Sequence, residues 1–367
     1  MKITYIISRV DKAIAFEWIY SALNENFDFS FIFIGEKQGF LFHWLKKKNV
    51  PVFFVPYYGK TDLPFAFIKI VRFLIQIRPN LIHTHLFEAN ILGLTAAKVI
   101  GIKKRIYSRH HSTFHHDFFP KAVKYDRLCN FMATDIVAIS KLVRSVLVEQ
   151  ENVNPAKVSL IEHGFKLSRF LQVDKQQIVE MKKKYFIPDN KIIVGVISRY
   201  MILKGLRYVI GAFKKLIETN NKIHLVLANA NGPDAKMIQK ELSFLPKGSY
   251  SEIAFEKDLF TLYGMFDVFV HCPIDNKVEA FGQTYVEALA SGVPSVFTLS
   301  GIANDFIIHE RNALVVDYKN KEQIAKAIER LLSDKKLACE IINNGISDVE
   351  MFSLDNMIHK LKLLYKK

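Results

Sequence analysis

Cysteine is scarce in this chain of 367 residues: Cys129, Cys272 and Cys339 are three in number, odd, and without ligand spacing. That excludes a disulfide framework and a cysteine-based structural zinc, and it suits a reducing compartment such as the cytoplasm. Long apolar runs are also missing. The longest uncharged stretch, 288–304, is broken by Gly292, Pro294 and Gly301 and reads as helix, strand and loop, not as a membrane span. The apolar start Met1-Lys-Ile-Thr-Tyr-Ile-Ile is short and has no small-residue cleavage site, so a first strand is expected there instead of a signal peptide. No internal repeat stands out. No basic stripe interleaved with aromatics appears either, which argues against a nucleic-acid partner.

What is present is soluble α/β composition. Half the residues are apolar, and the length suffices for two domains, each with its own core. Strand candidates at 3–7, 29–34, 52–56, 81–84, 105–107, 136–139 and 158–161 alternate with helical patterns at 14–24, 63–77, 89–99, 122–133 and 141–149. Such alternation predicts a mostly parallel, doubly wound sheet. The lysine-rich segment 174–190 interrupts the pattern. The pattern restarts with a strand at 191–197 and a helix in which Leu206, Val209, Ile210, Phe213, Leu216 and Ile217 share one face. Further strands are expected near 224–227, 252–255, 268–270, 294–299 and 313–316, and a last helix over 352–365.

Charge is unevenly spread. Residues 1–170 carry 24 Lys and Arg against 13 Asp and Glu, whereas 171–367 carry 27 against 23. Scattered lysines ordinarily only solvate a surface. An excess confined to the first half also suits an anionic phase or substrate. Segment 69–78 and the triplet Lys103-Lys104-Arg105 mix basic and apolar groups as a peripheral membrane face would.

The most informative stretch is Glu279-Ala-Phe-Gly-Gln-Thr-Tyr-Val-Glu287, followed by Ala-Leu-Ala-Ser-Gly-Val-Pro294. Residues 283–290 favour helix, and Gly-Val-Pro stops it before a buried strand. Glu279 then lies in the loop before the helix and Glu287 in its second turn. The free N–H groups near Gly282, Gln283 and Thr284 make an anion-binding terminus flanked by two hydroxyl-binding carboxylates. A nucleotide-sugar fits that layout: diphosphate in the middle, sugar at one end, ribose diol at the other.

The stretch resembles the E-x-F-G-x-x-x-x-E signature of glycosyltransferase family 4. Ser198-Arg199-Tyr-Met-Ile-Leu-Lys204-Gly205 resembles the family's Arg-x4-Lys-Gly diphosphate clamp, and Tyr263-Gly-Met-Phe-Asp267-Val-Phe-Val one of its strands. Ile161-Glu-His-Gly164-Phe and Arg311-Asn312-Ala-Leu-Val-Val-Asp317 match two further segments in the family's order. The likeness is close over 190–333 and looser over 1–170. It implies a GT-B architecture: two Rossmann-like doubly wound domains facing across a cleft. An acceptor-binding domain would span 1–172, a donor-binding domain 173–350, and a helix over 351–367 would return to the first domain. It also implies retaining transfer from a UDP- or GDP-linked sugar to a glycan or lipid-linked acceptor, by a hexosyl- or N-acetylhexosaminyl-transferase.

The resemblance implies roles that chemistry supports. Departure of a nucleoside diphosphate builds negative charge, which many such enzymes neutralise with a metal held by Asp-x-Asp. This sequence has no Asp-x-Asp. Arg199, Lys204 and the amides at Gly282, Gln283 and Thr284 can serve instead, so neither metal nor other cofactor is expected. Glu287 would bind the ribose diol, Glu279 would orient the transferred sugar, and Phe281 with Gly282 would shape the loop against the donor.

Six of twelve histidines fall within 83–116: His83, His85, His110, His111, His115 and His116. A metal-dependent hydrolase would use such a cluster, but the acids nearby lack recognisable ligand spacing. The family alignment selects His110 for contact with the donor sugar, with His111 one register away. His83 and His85 are expected to line the pocket wall or satisfy buried contacts. His115 and His116 are expected on a loop near acceptor. The loop after the first strand, Ser8-Arg9-Val-Asp11-Lys12-Ala, lacks the Gly-Gly common in the family, so Arg9 or Lys12 could meet an anionic acceptor. The expected setting is bacterial surface polysaccharide or lipopolysaccharide synthesis, in the cytoplasm at the inner membrane face. An epimerase or hydrolase of the same fold is the alternative.

Overall fold

The computed structural model describes all 367 residues. They divide into two compact units, Met1–Phe165 with Leu354–Lys367, and Lys166–Ser353. In the first, β1 (Lys2–Ser8), β2 (Asp28–Gly35), β3 (Val52–Pro56), β4 (Leu81–His85), β5 (Lys104–Arg109), β6 (Asp135–Ala138) and β7 (Val158–Leu160) form one parallel sheet in the order 3-2-1-4-5-6-7. In the second, β8 (Ile192–Ile197), β9 (Ile223–Ala228), β10 (Tyr250–Ile253), β11 (Val268–His271), β12 (Ser295–Phe297) and β13 (Leu314–Val315) run parallel in the order 10-9-8-11-12-13.

Both orders follow from the sequence pattern. Parallel strands covered by helices on both faces are buried and mainly apolar, and β1, β2, β8 and β9 are, with the few buried polar groups paired, as Thr4 is with Ser30. Phe29, Phe31 and Phe33 stack along one face of β2, with centroids 6.1 Å apart. Each sheet also has one place where strand order reverses, between β1 and β4 and between β8 and β11. Helices leave to opposite faces there, and a crevice opens beyond the strands' carboxyl ends. In the second unit that crevice falls at Ser198-Arg199 and His271-Cys272. In the first it falls at Ser8-Arg9 and His85-Leu86.

Several elements differ from expectation. β10 begins at Tyr250, two residues before the expected strand. The lysine-rich segment carries a helix, Lys175–Lys184, started by the Asp174 carboxylate accepting from Gln176 N at 2.9 Å. The expected helix over 141–149 splits into an α turn, Lys141–Ser145, and a π turn, Val146–Gln150. Residues 166–172 pack with the second unit, where Phe170 meets Phe260 edge-on at 4.8 Å. The last helix, Leu354–Lys366, packs in the first unit: Tyr365 OH bonds Tyr5 and His83, and Gly164 N lies 3.1 Å from Met357 Sδ.

The basic triplet is partly engaged inside the unit. Lys104 Nζ donates to the carbonyls of Leu364 and Tyr365, and the Arg105 guanidinium to those of Met132, Ile102 and Lys103. Lys104 and Arg105 thus direct hydrogen bonds to carbonyls that include the ends of the helices Leu354–Lys366 and Val123–Met132, while Lys103 stays exposed. A run of charges read linearly does not reveal which carbonyls lie within reach after folding.

Candidate functional site

Arg199 lies just beyond β8, exposed and without an ion pair. The chain then makes a 3₁₀ turn, Ile202–Lys204, and enters the helix Leu206–Thr219 through Gly205. Gly205 sits at φ +70, and a Cβ there would lie 1.9 Å from the Cys272 carbonyl. Only glycine lets this turn press against the chain leaving β11, where Ile274 N donates to Leu203 O at 3.0 Å. That contact brings Lys204 to the acids of the signature stretch.

Lys204 Nζ donates to Glu279 Oε1 at 2.5 Å, and His271 Nε2 donates to the same oxygen at 3.0 Å. Ser300 Oγ accepts from the Glu279 amide at 2.9 Å, fixing the backbone. Burial alone would raise the Glu279 pKa. The His271 hydrogen bond and the Lys204 ammonium outweigh it and hold the carboxyl down at about 2. Glu279 is thus a fixed negative charge. His271, at the end of β11, is a member of the site that sequence reading missed. Its signal was a polar residue closing the apolar strand Val-Phe-Val-His.

Helix Gln283–Ala290 begins at Gly282, φ +85, with no side chain capping it. Its first amides are therefore left for a ligand. Two buried polar atoms nearby have no partner, Thr284 Oγ1 and His271 Nδ1. Buried orphans are rare, and a pair of them beside an uncapped helix terminus makes this a candidate ligand site. Phe281 is buried and edge-on to Phe352 at 5.9 Å, so its ring supports the loop instead of lining it. Glu287, one helical turn on, accepts from Tyr263 OH at 2.9 Å. Burial pushes its carboxyl up to about 7, and Tyr263 offsets only part of that. The two acids of one motif thus have opposite tendencies, set by their neighbours.

In the first unit, β4 and β5 carry a histidine column. His83 is fully engaged, with Nδ1 on Tyr365 OH at 2.8 Å and Nε2 on Ser108 Oγ at 2.9 Å, which makes it structural. His85 Nδ1 meets His110 Nε2 at 3.1 Å, and His110 stacks on His163 at 5.7 Å. His85 Nε2 is buried without a partner. Burial, then the neighbouring imidazoles, lower the His110 pKa to about 3, so it is a neutral hydrogen-bonding group and not a general acid at neutral pH.

His115 and His116 do not reach outward. His115 Nδ1 donates to Asp126 Oδ2 at 2.7 Å and His116 Nε2 to Glu151 Oε1 at 3.0 Å. Buried Arg109 joins the two acids, at 3.2 Å and 2.6 Å. His111 contacts Asp126 at 3.5 Å and is separate from the His85–His110–His163 column. In the loop after β1, Arg9 is paired with Glu88 at 2.7 Å and Glu36 at 3.4 Å, while Lys12 lies over the Phe40 ring.

The family profile described as "Glycosyl transferases group 1" matches residues 177–348, and "Glycosyltransferase Family 4" matches 31–169. A capsular polysaccharide biosynthesis glycosyltransferase of Staphylococcus aureus is 24% identical over 82% of this chain and 80% of its own. An Escherichia coli galactosyltransferase, acting from UDP-Gal on GlcNAc-diphosphoundecaprenol, is 22% identical over 93% and 89%. The crystal structure of Anabaena HepE with UDP and glucose superposes over 100% of both chains, with TM-score 0.86 at 17% identity. Two matched profiles in sequence, two Rossmann-like sheets and the shared fold agree: this chain belongs to glycosyltransferase family 4 and is a glycosyltransferase with the GT-B fold.

Proposed function

We propose that this enzyme is a retaining, metal-independent transferase that moves a hexosyl or N-acetylhexosaminyl group from a UDP- or GDP-sugar to a glycan or lipid-linked acceptor. The setting is assembly of bacterial surface polysaccharide or lipopolysaccharide, at the inner face of the cytoplasmic membrane. The observation that carries this reading is Lys204 and His271 converging on Glu279 beside an uncapped helix terminus with two orphaned polar atoms. The relatives' names, with UDP-galactose, lipid-diphosphate and capsular polysaccharide among them, point the same way.

On this reading the donor diphosphate lies on the amides of Gly282, Gln283 and Thr284, with Arg199 and Lys204 balancing the charge that grows as the sugar leaves. Lys204 turns part of its hydrogen bonding from Glu279 to phosphate. His271 keeps Glu279 compensated meanwhile, so the carboxylate stays ionised beside the oxocarbenium-like sugar. Glu287 accepts the ribose hydroxyls, and neutral His110 hydrogen-bonds the donor sugar. Transfer measured in chelator is expected not to rise when Mg²⁺ or Mn²⁺ is added. A strict requirement for either ion would overturn the cation-and-helix account. A thermal-shift screen of nucleotide-sugars tests the donor assignment directly, since a ligand at a hundred times its dissociation constant stabilises by about 2.7 kcal/mol. Steady turnover of a donor without acceptor would instead favour an epimerase or hydrolase.

Membrane contact is assigned to a different surface from the basic triplet. Phe118 and Phe119 are 50% and 54% exposed and both meet the Phe114 ring at 5.4 Å, while Phe131 is 72% exposed under Lys98. Lys121, Lys124 and Arg127 stand exposed among them. Monomeric proteins rarely leave such a group of rings in water. Each basic group near an anionic surface contributes about 1 kcal/mol. Vesicles containing phosphatidylglycerol are expected to bind the enzyme, and Phe118→Ser with Phe119→Ser and Lys124→Glu to release it. Charge reversal at Lys103 should have little effect. Equal binding by the triple variant would refute the surface.

A further inference from the structure

The carboxylates of Asp126 and Glu151 are almost wholly buried, and one guanidinium, Arg109, stands against both. One guanidinium thus faces two buried carboxylates, a setting that favours a further cation. His111 and His115 are placed to help hold one. His111 lies in the loop before the short helix Phe114–Phe118 and His115 within that helix, and their rings stand 4.0 Å apart between centroids. Asp126 faces them from the helix Val123–Met132.

One ligand atom from each of His111, His115 and Asp126 lies within 4.8 Å of the others. A tetrahedral ion with ligand bonds of about 2.0–2.1 Å needs donors about 3.4 Å apart, so small side-chain rotations suffice. His111 is also poorly used by the protein: its contact to Asp126 is 3.5 Å, and its Nδ1 is buried with no partner. Around the three donors stands the outer support that metal sites require. Arg109 holds Asp126, and Arg109, His116 and Asn130 hold the neighbouring Glu151.

We propose that His111, His115 and Asp126 form a binding site for one divalent transition-metal ion of zinc type, pinning the segment after β5 to the helix Val123–Met132. The ion is structural. Its three ligands all lie in the first unit, and the proposal does not depend on the reaction assigned above.

The test is metal binding by the whole chain without donor or acceptor. Chelator-stripped protein is titrated with Co²⁺, and zinc affinity is measured by competition with a chromophoric chelator. One equivalent per chain is expected, with the intense visible absorption of tetrahedral Co²⁺ and a rise in melting temperature. His111→Ala and His115→Ala should each weaken zinc binding at least tenfold and abolish the absorption. His116→Ala, which touches Glu151 only, should keep it. Because Asp126 variants could misfold, the histidine variants are first checked for native circular dichroism. Absence of saturable one-to-one binding, or equal binding by wild type and both histidine variants, would overturn the site and leave the cluster an ion-pair network only.

Discussion

Lys204→Ala is expected to lower kcat/KM by a hundredfold or more, about 2.7 kcal/mol of transition-state stabilisation. Two losses coincide at this residue. The ammonium that balances the departing diphosphate disappears, and Glu279 loses one of the two donors that keep it ionised. The second loss is partly reparable, because His271 remains, so the deficit should appear chiefly in kcat. Arg199→Ala should act differently. Arg199 is exposed and unpaired, hence less preorganised, and its removal should weaken UDP or GDP binding along with turnover. Steady-state kinetics with a nucleotide-binding measurement separate the two. Near-normal kinetics in both variants would remove the clamp from the donor site.

Glu287→Gln is expected to separate stability from function. The folded carboxyl titrates at about 7 against an ordinary 4.5, because burial disfavours its charge. A folded pKa above the unfolded value means that stability is fully present below about 4.5 and is lost as pH rises through about 7. The loss on full ionisation is on the order of 3 kcal/mol. Glutamine keeps an acceptor for Tyr263 without the charge, so the variant should melt higher than wild type at pH 8 and similarly at pH 5. Donor affinity should fall at least tenfold in the variant, since an amide accepts at one oxygen where the carboxylate offers two. In wild type, donor affinity should weaken as pH drops below about 7. Identical melting profiles across pH, or unchanged donor affinity, would show that Glu287 neither carries the burial penalty nor meets the ribose.

The candidate site of the second unit was legible in one dimension because its parts are local. An acid, a Phe-Gly turn, a helix start and a second acid sit within nine residues, and helix geometry alone fixes their mutual placement. The Arg-x4-Lys-Gly turn is equally local, since a glycine required by φ leaves its mark in sequence. Alternating strand and helix patterns likewise fixed two doubly wound parallel sheets, as apolar runs buried on both faces admit little else.

Tertiary structure decided what depends on distant neighbours. His271 joined the site because β11 ends against the loop of Glu279, a proximity no periodicity encodes. Lys104 came to bond backbone carbonyls because the last helix, some 260 residues later, ends beside it, and Arg105 because the helix Val123–Met132 ends within its reach. The histidines of 110–116 parted into a stacked column and an Asp–Glu–Arg cluster because Asp126 and Glu151 arrive from other elements. The opposite pKa tendencies of Glu279 and Glu287 have the same origin. Burial is common to both, but one meets an ammonium and an imidazole and the other a single phenol. Sequence sets residue type and local geometry, whereas the charge a buried group can hold is decided by whichever partners the fold delivers to it.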